Sequence, residues 1–470
     1  MIIKDIDNLE LPEYIIIGGG PAGITLAIQL EKKNRKVLLI EAGGREFNEK
    51  IQSHYKGDVY GDKYFDLEYT RLRYLGGSSN HWGGNCAPLD RYDIEKWPLN
   101  FDEIDSFKKE TKNILEIKNN FVKNESSIFN SFELSSIENG YVNFGEKYYD
   151  QLKKSQNIFL LMETSVLNLE SNENGKEVTS IHLKIKNKSK KIILNSNKVI
   201  VACGGLENSR LLLWSKEISK NSFLKKLPIG KYWMEHPSGE IGHCIGKKDV
   251  VEKVFKKKNY FLVPSENFIK NEKINNVRFS VQFWEANGKK SLKHILKDLV
   301  CLAPNYGKKI VESFSNQVVH CVSAIKFSVE QKPRIENDIT LSKTKFDKYK
   351  IPQIKLNWNI GDDVFFTLKK SLEKLGQEFI ENDIGRIGID KYVYDQSFKK
   401  ANDIFANHHH MGGTIMSNLD NVGVVDQNLR VKNTSNLYVL GSSVFPTGGH
   451  FNPTFTIVQL SLRLAKHLTT

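Results

Sequence analysis

The sequence lacks any apolar run approaching the eighteen or more residues that a membrane helix requires, so nothing in it predicts a membrane span. It has only five cysteines, Cys86, Cys203, Cys244, Cys301 and Cys321, an odd and scattered set without a CxxC pair. That argues against a disulfide framework and against a thiolate zinc site, and leaves buried thiols as the expectation. There is no internal repeat and no long low-complexity tract, which sets aside solenoids and arrays. The first residues, Met1 to Asp7, carry early acids and no apolar stretch ending in small residues, so a cytoplasmic chain without a secretory signal is expected.

Acids are in deficit, 55 against 68 basic residues, for a net charge of +13. A nucleic-acid partner would need those charges in one stripe interleaved with aromatics. Here the lysines alternate with acids along the whole chain, in short clusters such as Lys256-Lys257-Lys258, and nucleic-acid binding is not expected. A hydrophobic content of 40% and a charged content of 26% are those of a water-soluble globular protein, and 470 residues suffice for two domains with a large core.

What the sequence does contain begins at Glu13. The apolar run Tyr14-Ile15-Ile16-Ile17 leads into Gly18-Gly19-Gly20-Pro21-Ala22-Gly23 and then into an amphipathic stretch, Ile24 to Leu30. Lys36 to Ile40 supplies a second strand ending in Glu41, eighteen positions beyond Gly23. GxGxxG alone marks any tight turn; with a strand before, a helix after and an acid at this distance it predicts a dinucleotide site. Gly18 makes the turn, Gly20 admits a pyrophosphate close to backbone, and Gly23 lets the helix pack on the strand. The helix N-terminus then faces the anion, and Glu41 can hold ribose hydroxyls.

A second glycine-rich stretch, Leu75 to Asn85, has too many small residues for a helix and too little alternation for a strand, and is read as a loop suited to an extended aromatic cofactor. Arg91 to Phe107 is read as helical, with a domain crossing near residue 95. Asn157 to Leu161 opens a β-meander that continues through Leu167 to Glu170, a turn at Asn172 to Gly175, and Ile181 to Ile185. Val199 to Ala202, Cys203-Gly204-Gly205 and Leu206 to Leu213 repeat the order strand, glycine, helix. From about 240 to 400, runs such as Arg278 to Trp284 and Ala324 to Glu330, then a helix from Asp363 to Phe379, predict a second sheet with helices covering the cofactor.

The densest chemistry lies in the tail, Asn407-His408-His409-His410-Met411-Gly412-Gly413-Thr414 and Gly441 to Thr454, where imidazoles, an amide and tight-turn residues sit within fifty positions. A neutral imidazole, with a pKa of about 6.5, can take the proton of an alcohol as hydride leaves, worth roughly 10²–10⁴-fold in rate. An asparagine amide can hold the same oxygen and orient the C–H bond. Three adjacent histidines might suggest a metal, but consecutive side chains diverge and no acid or cysteine stands where it would complete the set, so no metal is expected.

With both glycine loops, the VIVACGG strand with LENSRLLL, the EQKPRIENDITLS stretch and the tail taken together, the chain resembles the glucose-methanol-choline (GMC) flavoprotein oxidoreductases. The resemblance implies an α/β fold: an FAD-binding, Rossmann-like three-layer domain with a β-meander, and a second α+β substrate domain on an antiparallel sheet. By that reading residues 1–95, 151–238 and 403–470 form the FAD domain, and 96–150 and 239–402 the substrate domain. It implies FAD as cofactor and oxidation of a CH–OH group, plausibly of a sugar, cyclitol or other polyol, by hydride transfer to flavin N5.

Setting Gly412 on the family's H-x-x-G motif makes His409 the base, and Asn452-Pro453-Thr454 makes Asn452 its partner. His450 is the rival, and His450 and His410 are candidate substrate contacts. His81, in the GG-x-S-x-H loop, matches a histidine that some relatives similar to pyranose oxidase and choline oxidase bond covalently to the flavin. The cofactor contacts implied are Gly18, Gly20, Pro21, Ala22, Gly23 and Glu41; Gly77, Ser78, Asn80, His81, Trp82 and Gly83; Val166 and Ala202; and Gly441, Ser442, Asn452, Pro453 and Thr454. A lyase or light-driven decarboxylase on the same fold, and a flavin-bearing binding module without turnover, are the alternatives. The acceptor, whether oxygen, a quinone or a redox protein, is open.

Overall fold

A computed structural model describes residues 1–7, 9–125, 129–186, 188–246, 260–282, 323–400 and 403–470. The apolar runs singled out in the sequence, Tyr14–Ile17, Val37–Ile40 and Lys198–Val201, are strands of one six-stranded parallel sheet. Its order is Ile2–Ile3, Ile158–Leu161, Val37–Ile40, Tyr14–Ile17, Lys198–Val201, Leu437–Val439. Near-continuous Ile, Val and Leu suits strands covered on both faces, and Ile15, Ile16, Leu38, Leu39 and Val199 are completely buried. The helix Pro21–Glu31, with proline at its start where the missing N–H costs nothing, packs against the C-terminal helix Thr454–Thr469. The two ends of the chain therefore meet beside this sheet.

The sequence reading of a meander opening at Asn157 is corrected here. Ile158–Leu161 pairs parallel with Val37–Ile40, and its unbroken apolar run, without alternation, is the reason it belongs there. The meander proper is Thr164–Ser171, Val178–Ile185 and Lys188–Ile193, a separate antiparallel sheet. The expected helix from Arg91 is broken into Arg91–Ile94, Phe101–Ser106 and Lys108–Ile114, with Trp97-Pro98 in the first gap.

An eight-stranded antiparallel sheet takes Lys123–Glu125 and Phe132–Ser136 from one part of the chain and Pro237–Gly246, Tyr260–Pro264, Val277–Gln282, Ser323–Val329, Gly385–Ile389 and Ile404–Ala406 from another. The helix Asp362–Glu381 lays Val364, Leu368, Leu372 and Phe379 against Ile241, Val277, Phe279 and Ile325 on one face of it. The strand expected from Arg278 is described to Gln282; Phe283 and Trp284 lie outside the described residues, as do Lys256-Lys257-Lys258, Cys301 and Cys321. A further three-stranded sheet was not foreseen: Gly57–Gly61 pairs parallel with Pro352–Trp358, which pairs with Asp338–Phe346. Among the described residues no helix is long and apolar enough to cross a membrane.

Candidate active site

The parallel strands all end on one side, and a cavity of about 580 Å³ opens there, lined by Ile17, Gly18, Ile40, Glu41, Ala202 and Cys203. This is the crevice at which the strand order reverses, between Tyr14–Ile17 and its two neighbours, where doubly wound sheets bind ligands. Gly18 has φ of +114°, and a Cβ on it would lie 2.3 Å from the Ala202 carbonyl oxygen, so only glycine lets the two strand ends close together. Gly20 differs: a Cβ there would meet nothing within 4 Å, because its backbone borders open cavity. Gly23 packs under the turn, its Cβ position 2.0 Å from the Gly18 carbonyl oxygen, and does not line the cavity.

Three helices begin at the cavity wall: Pro21–Glu31, Gly204–Ile218 and Thr454–Thr469. Their unpaired N–H groups and dipoles favour negative charge. The second glycine loop is tied to the first by the Gly76 N–H, which donates to the Gly19 carbonyl at 2.7 Å. Within it Gly77–Asn80 forms one 3-10 turn rather than an open loop, held by the Ser79 hydroxyl on the Gly76 carbonyl (2.6 Å). Asn80 turns back on the Leu75 carbonyl at 3.0 Å and does not line the cavity, whereas Gly77, Ser78, His81, Trp82 and Gly83 do. Val166, Gly441, Ser442, Asn452, Pro453 and Thr454 line it as well. A bare-backbone cradle, three helix N-termini and an elongated cavity fit a dinucleotide with its pyrophosphate.

Glu41 is buried, and burial holds its carboxyl above the usual range despite two amide donors, Gly19 N–H and Gly43 N–H, each at 2.8 Å. It therefore fastens the glycine turn as well as bordering the cavity. The sequence reading missed a polar wall opposite. Arg71 Nη2 donates to Glu207 (2.7 Å), Arg210 Nη2 to Asp347 (2.9 Å), and His54 Nδ1 lies 3.2 Å from Asp347. These residues come from four distant segments, and charge pairing alone in the sequence gave no sign of it.

The histidine segment is built by pairing. Met234 and Met411 exchange backbone hydrogen bonds (2.8 and 3.0 Å), while Gly412 N–H and Thr414 N–H donate to the Ser442 and Ser443 carbonyls. Residues 407–414 are thus clamped between residues 233–236 and 442–444. The three histidines diverge. His408, at φ +60°, meets Phe65 (4.6 Å between ring centroids); His410 lies 6.0 Å from the Trp233 ring; His409 turns to His236.

His236 fixes the protonation of His409. The two Nδ1 atoms are 2.8 Å apart, and His236 Nε2 lies 2.9 Å from the Gly449 carbonyl. A carbonyl only accepts, so His236 carries its hydrogen on Nε2. Burial, and then the Arg278 guanidinium, push its pKa down to about 3, so it is neutral and its Nδ1 is an acceptor. His409 therefore donates from Nδ1 and keeps its lone pair on Nε2. Burial first, then His236 and Arg278, hold His409 well below the usual imidazole range. Glu235 anchors the pair: Oε1 accepts from His409 N–H (2.7 Å) and His236 N–H (2.9 Å), Oε2 from the Tyr64 hydroxyl (2.7 Å), and burial raises its carboxyl to about 7.

Asn452 borders the same cavity as His409, directly before the C-terminal helix. Its Nδ2 donates to the Asn85 carbonyl (2.7 Å) and its Oδ1 accepts from Arg278 Nη2 (3.0 Å), which fixes the amide's orientation. His450 is completely buried, does not line the cavity, and among the described residues has no hydrogen-bond partner on either ring nitrogen. It stands instead beside Asp90 and Asp93, one ligand-type atom of each lying within 4.8 Å of the others. Those acids are already paired, Asp90 with Lys123 (3.2 Å) and Asp93 with Lys96 (3.8 Å). His81 is an exposed ring on the cavity wall.

Residues 333–461 match the family described as GMC oxidoreductase, and residues 12–207 match pyridine nucleotide-disulphide oxidoreductase. A fructose dehydrogenase large subunit from Gluconobacter japonicus is 30% identical over 159 residues, 34% of this chain; the match spans 27% of that protein. The fold is similar to pyridoxine 4-oxidase from Mesorbium loti (TM-score 0.62, 15% identity, 97% of this chain and 98% of that one). It is also similar to formate oxidase (TM-score 0.59, 15% identity, 97% of both chains). The fold over 97% of the chain is thus similar to that of these two oxidases, and its C-terminal part, residues 333–461, matches the GMC oxidoreductase family.

Proposed function

We propose that this protein oxidises the CH–OH group of a small polyhydroxylated molecule to a carbonyl, with His409 as the base. The observation that carries this is the hydrogen bond between His236 and His409 Nδ1, which leaves the imidazole's lone pair on Nε2, in a residue that lines the same cavity as Asn452. Bound FAD supplies the hydride acceptor. His409 takes the hydroxyl proton on Nε2, and a neutral, desolvated imidazole is in the right form to do so at neutral pH. Asn452, immobilised by Asn85 and Arg278, orients the same oxygen.

In this reading Gly18, Gly20, Pro21 and Ala22 take the pyrophosphate, and Glu41 the ribose. The N-terminus of the C-terminal helix, at Pro453 and Thr454 on the cavity wall, would stabilise the negative charge that a flavin gains on reduction. His81 is the point of covalent attachment. The electron acceptor would be oxygen, a quinone or a redox protein. The test is anaerobic mixing of the holoenzyme with alcohols and polyols while the flavin absorbance is followed; bleaching supports the reading, and a lyase or a turnover-free binding module gives none.

A further inference from the structure

We infer that Asp90, Asp93 and His450 hold a divalent transition-metal ion, such as Zn²⁺ or Mn²⁺, at a structural site apart from the cavity. None of the three residues lines the cavity, so the inference does not depend on alcohol oxidation.

Two segments far apart in the sequence are pressed together here. Asp90 and Asp93 stand three positions apart at the short helix Arg91–Ile94, a spacing that puts both carboxylates on one side. Across from them the chain turns at Gly448-Gly449. Gly449 has φ of +58°, and a Cβ on it would lie 2.9 Å from Asp93 Oδ2 and 2.6 Å from Leu89 Cδ2, so glycine alone lets the turn sit on the acid. Trp97 Nε1 donates to Thr447 Oγ1 at 2.7 Å and fastens the same two segments. The turn delivers His450, one ring nitrogen of which lies within 4.8 Å of an oxygen of each acid.

All three side chains have unused capacity. Asp90 occupies the N-cap position, where an aspartate ordinarily accepts a backbone N–H, yet its carboxylate accepts none. Its lysine, Lys123 at 3.2 Å, is shared with Glu133 at 3.5 Å. Asp93 is completely buried, and its contacts with Lys96 Nζ (3.8 Å) and Asn276 Nδ2 (3.4 Å) are long beside the roughly 2.7–2.9 Å of a charge-assisted hydrogen bond. Glu330, on the Gly449 and Asn276 N–H groups, adds a further acid to the surroundings. His450 is buried with both ring nitrogens unpartnered among the described residues, which forfeits a donor and an acceptor. An imidazole nitrogen and two carboxylate oxygens are a ligand set for zinc or manganese, and the ion offsets the crowded negative charge. Such ions hold N and O ligands at about 2.0–2.2 Å, so the three atoms close in by small side-chain turns. The Asp90 side chain is 20% exposed, which gives the ion and a coordinating water a way in. Bound there, the ion pins the turn that leads to Asn452.

The test is equilibrium dialysis of the holoenzyme, made without a metal-affinity tag and stripped with EDTA, against Zn²⁺ and against Mn²⁺. Bound metal is counted by plasma mass spectrometry, and unfolding is followed by circular dichroism. One ion per chain is expected for at least one of the two metals, with Tm raised by about 2 °C or more. Asp90→Asn, which keeps its shape at the exposed side of the site, and His450→Ala are each expected to weaken binding about tenfold or more and to remove the shift in Tm. A wild type that binds no ion overturns the inference. So does an ion held equally well by both variants, which then sits elsewhere, for instance on the histidine run. Wild type and Asp90→Asn decide the matter even if His450→Ala does not fold, and neither result requires that any alcohol reduce the flavin.

Discussion

His236 and His409 share one hydrogen across the 2.8 Å between their Nδ1 atoms, and that hydrogen decides which nitrogen of His409 is basic. His409→Ala should slow anaerobic flavin reduction by about 10²–10⁴-fold, the usual worth of a positioned base, with FAD still bound. His236→Leu removes the acceptor and lets His409 protonate on the wrong nitrogen, so it should lose a large part of the same factor. His236→Gln, whose carbonyl can accept from Nδ1, should recover part of it. Stopped-flow rates of the three variants check the order.

The pH dependence follows from burial. A histidine held well below the ordinary value near 6.5 stays neutral as the pH falls through 6.5, so the base form persists there. The acid limb of kcat/KM for substrate oxidation should therefore inflect clearly below pH 6.5. An inflection at or above 6.5 would mean that His409 is solvated like a free imidazole.

Gly18 and Gly20 separate fold from cofactor. Gly18→Ala places a Cβ 2.3 Å from the Ala202 oxygen at φ +114° and should destabilise the protein by about 1–3 kcal/mol or more. Gly20→Ala adds a methyl to open space, at φ −86°, so the apoprotein should keep its stability within about 0.5 kcal/mol while FAD binding weakens. Thermal unfolding of apoprotein and flavin titration distinguish the two.

How legible the site was depended on whether its chemistry is local. The glycine cradle is a local requirement of backbone, and Gly18, Gly20 and the helix from Pro21 stand where the spacing predicted. His409 and Asn452 were singled out by the resemblance, through the H-x-x-G and Asn-Pro-Thr motifs, and both line the cavity. Glu235, His236 and Arg278 left no such mark, because each reaches the site only through tertiary pairing: Met234 with Met411, and Arg278 with Ser328. Asn80 and His450, named from their motifs, do not line the cavity: Asn80 turns back on its own loop and His450 is buried beside Asp90 and Asp93, whereas Gly23 packs under the turn as its spacing implied. Ile158–Leu161 shows the same limit for the fold, since a short apolar run gives strand but not partner.

The polar wall offers a stability prediction. Glu207 compensates Arg71 and Arg210, all three buried. Glu207→Leu leaves two buried cations without that partner and should cost about 3–5 kcal/mol, read from denaturant unfolding.

His81 gives a direct chemical test. Acid denaturation of the holoenzyme should leave the yellow colour with the protein, and His81→Ala should release it to the supernatant.

The central claim is that one imidazole on the cavity wall, supported by its neighbour, drives oxidation of an alcohol carbon. The most direct measurement is anaerobic stopped-flow of FAD-loaded wild type and His409→Ala against a panel of alcohols, polyols and hydroxy acids. The account predicts loss of the oxidised flavin band in the wild type with at least one member, and a rate lower by about 10²–10⁴-fold in the variant. A wild type that no member reduces, or a variant that is reduced as fast, would contradict it.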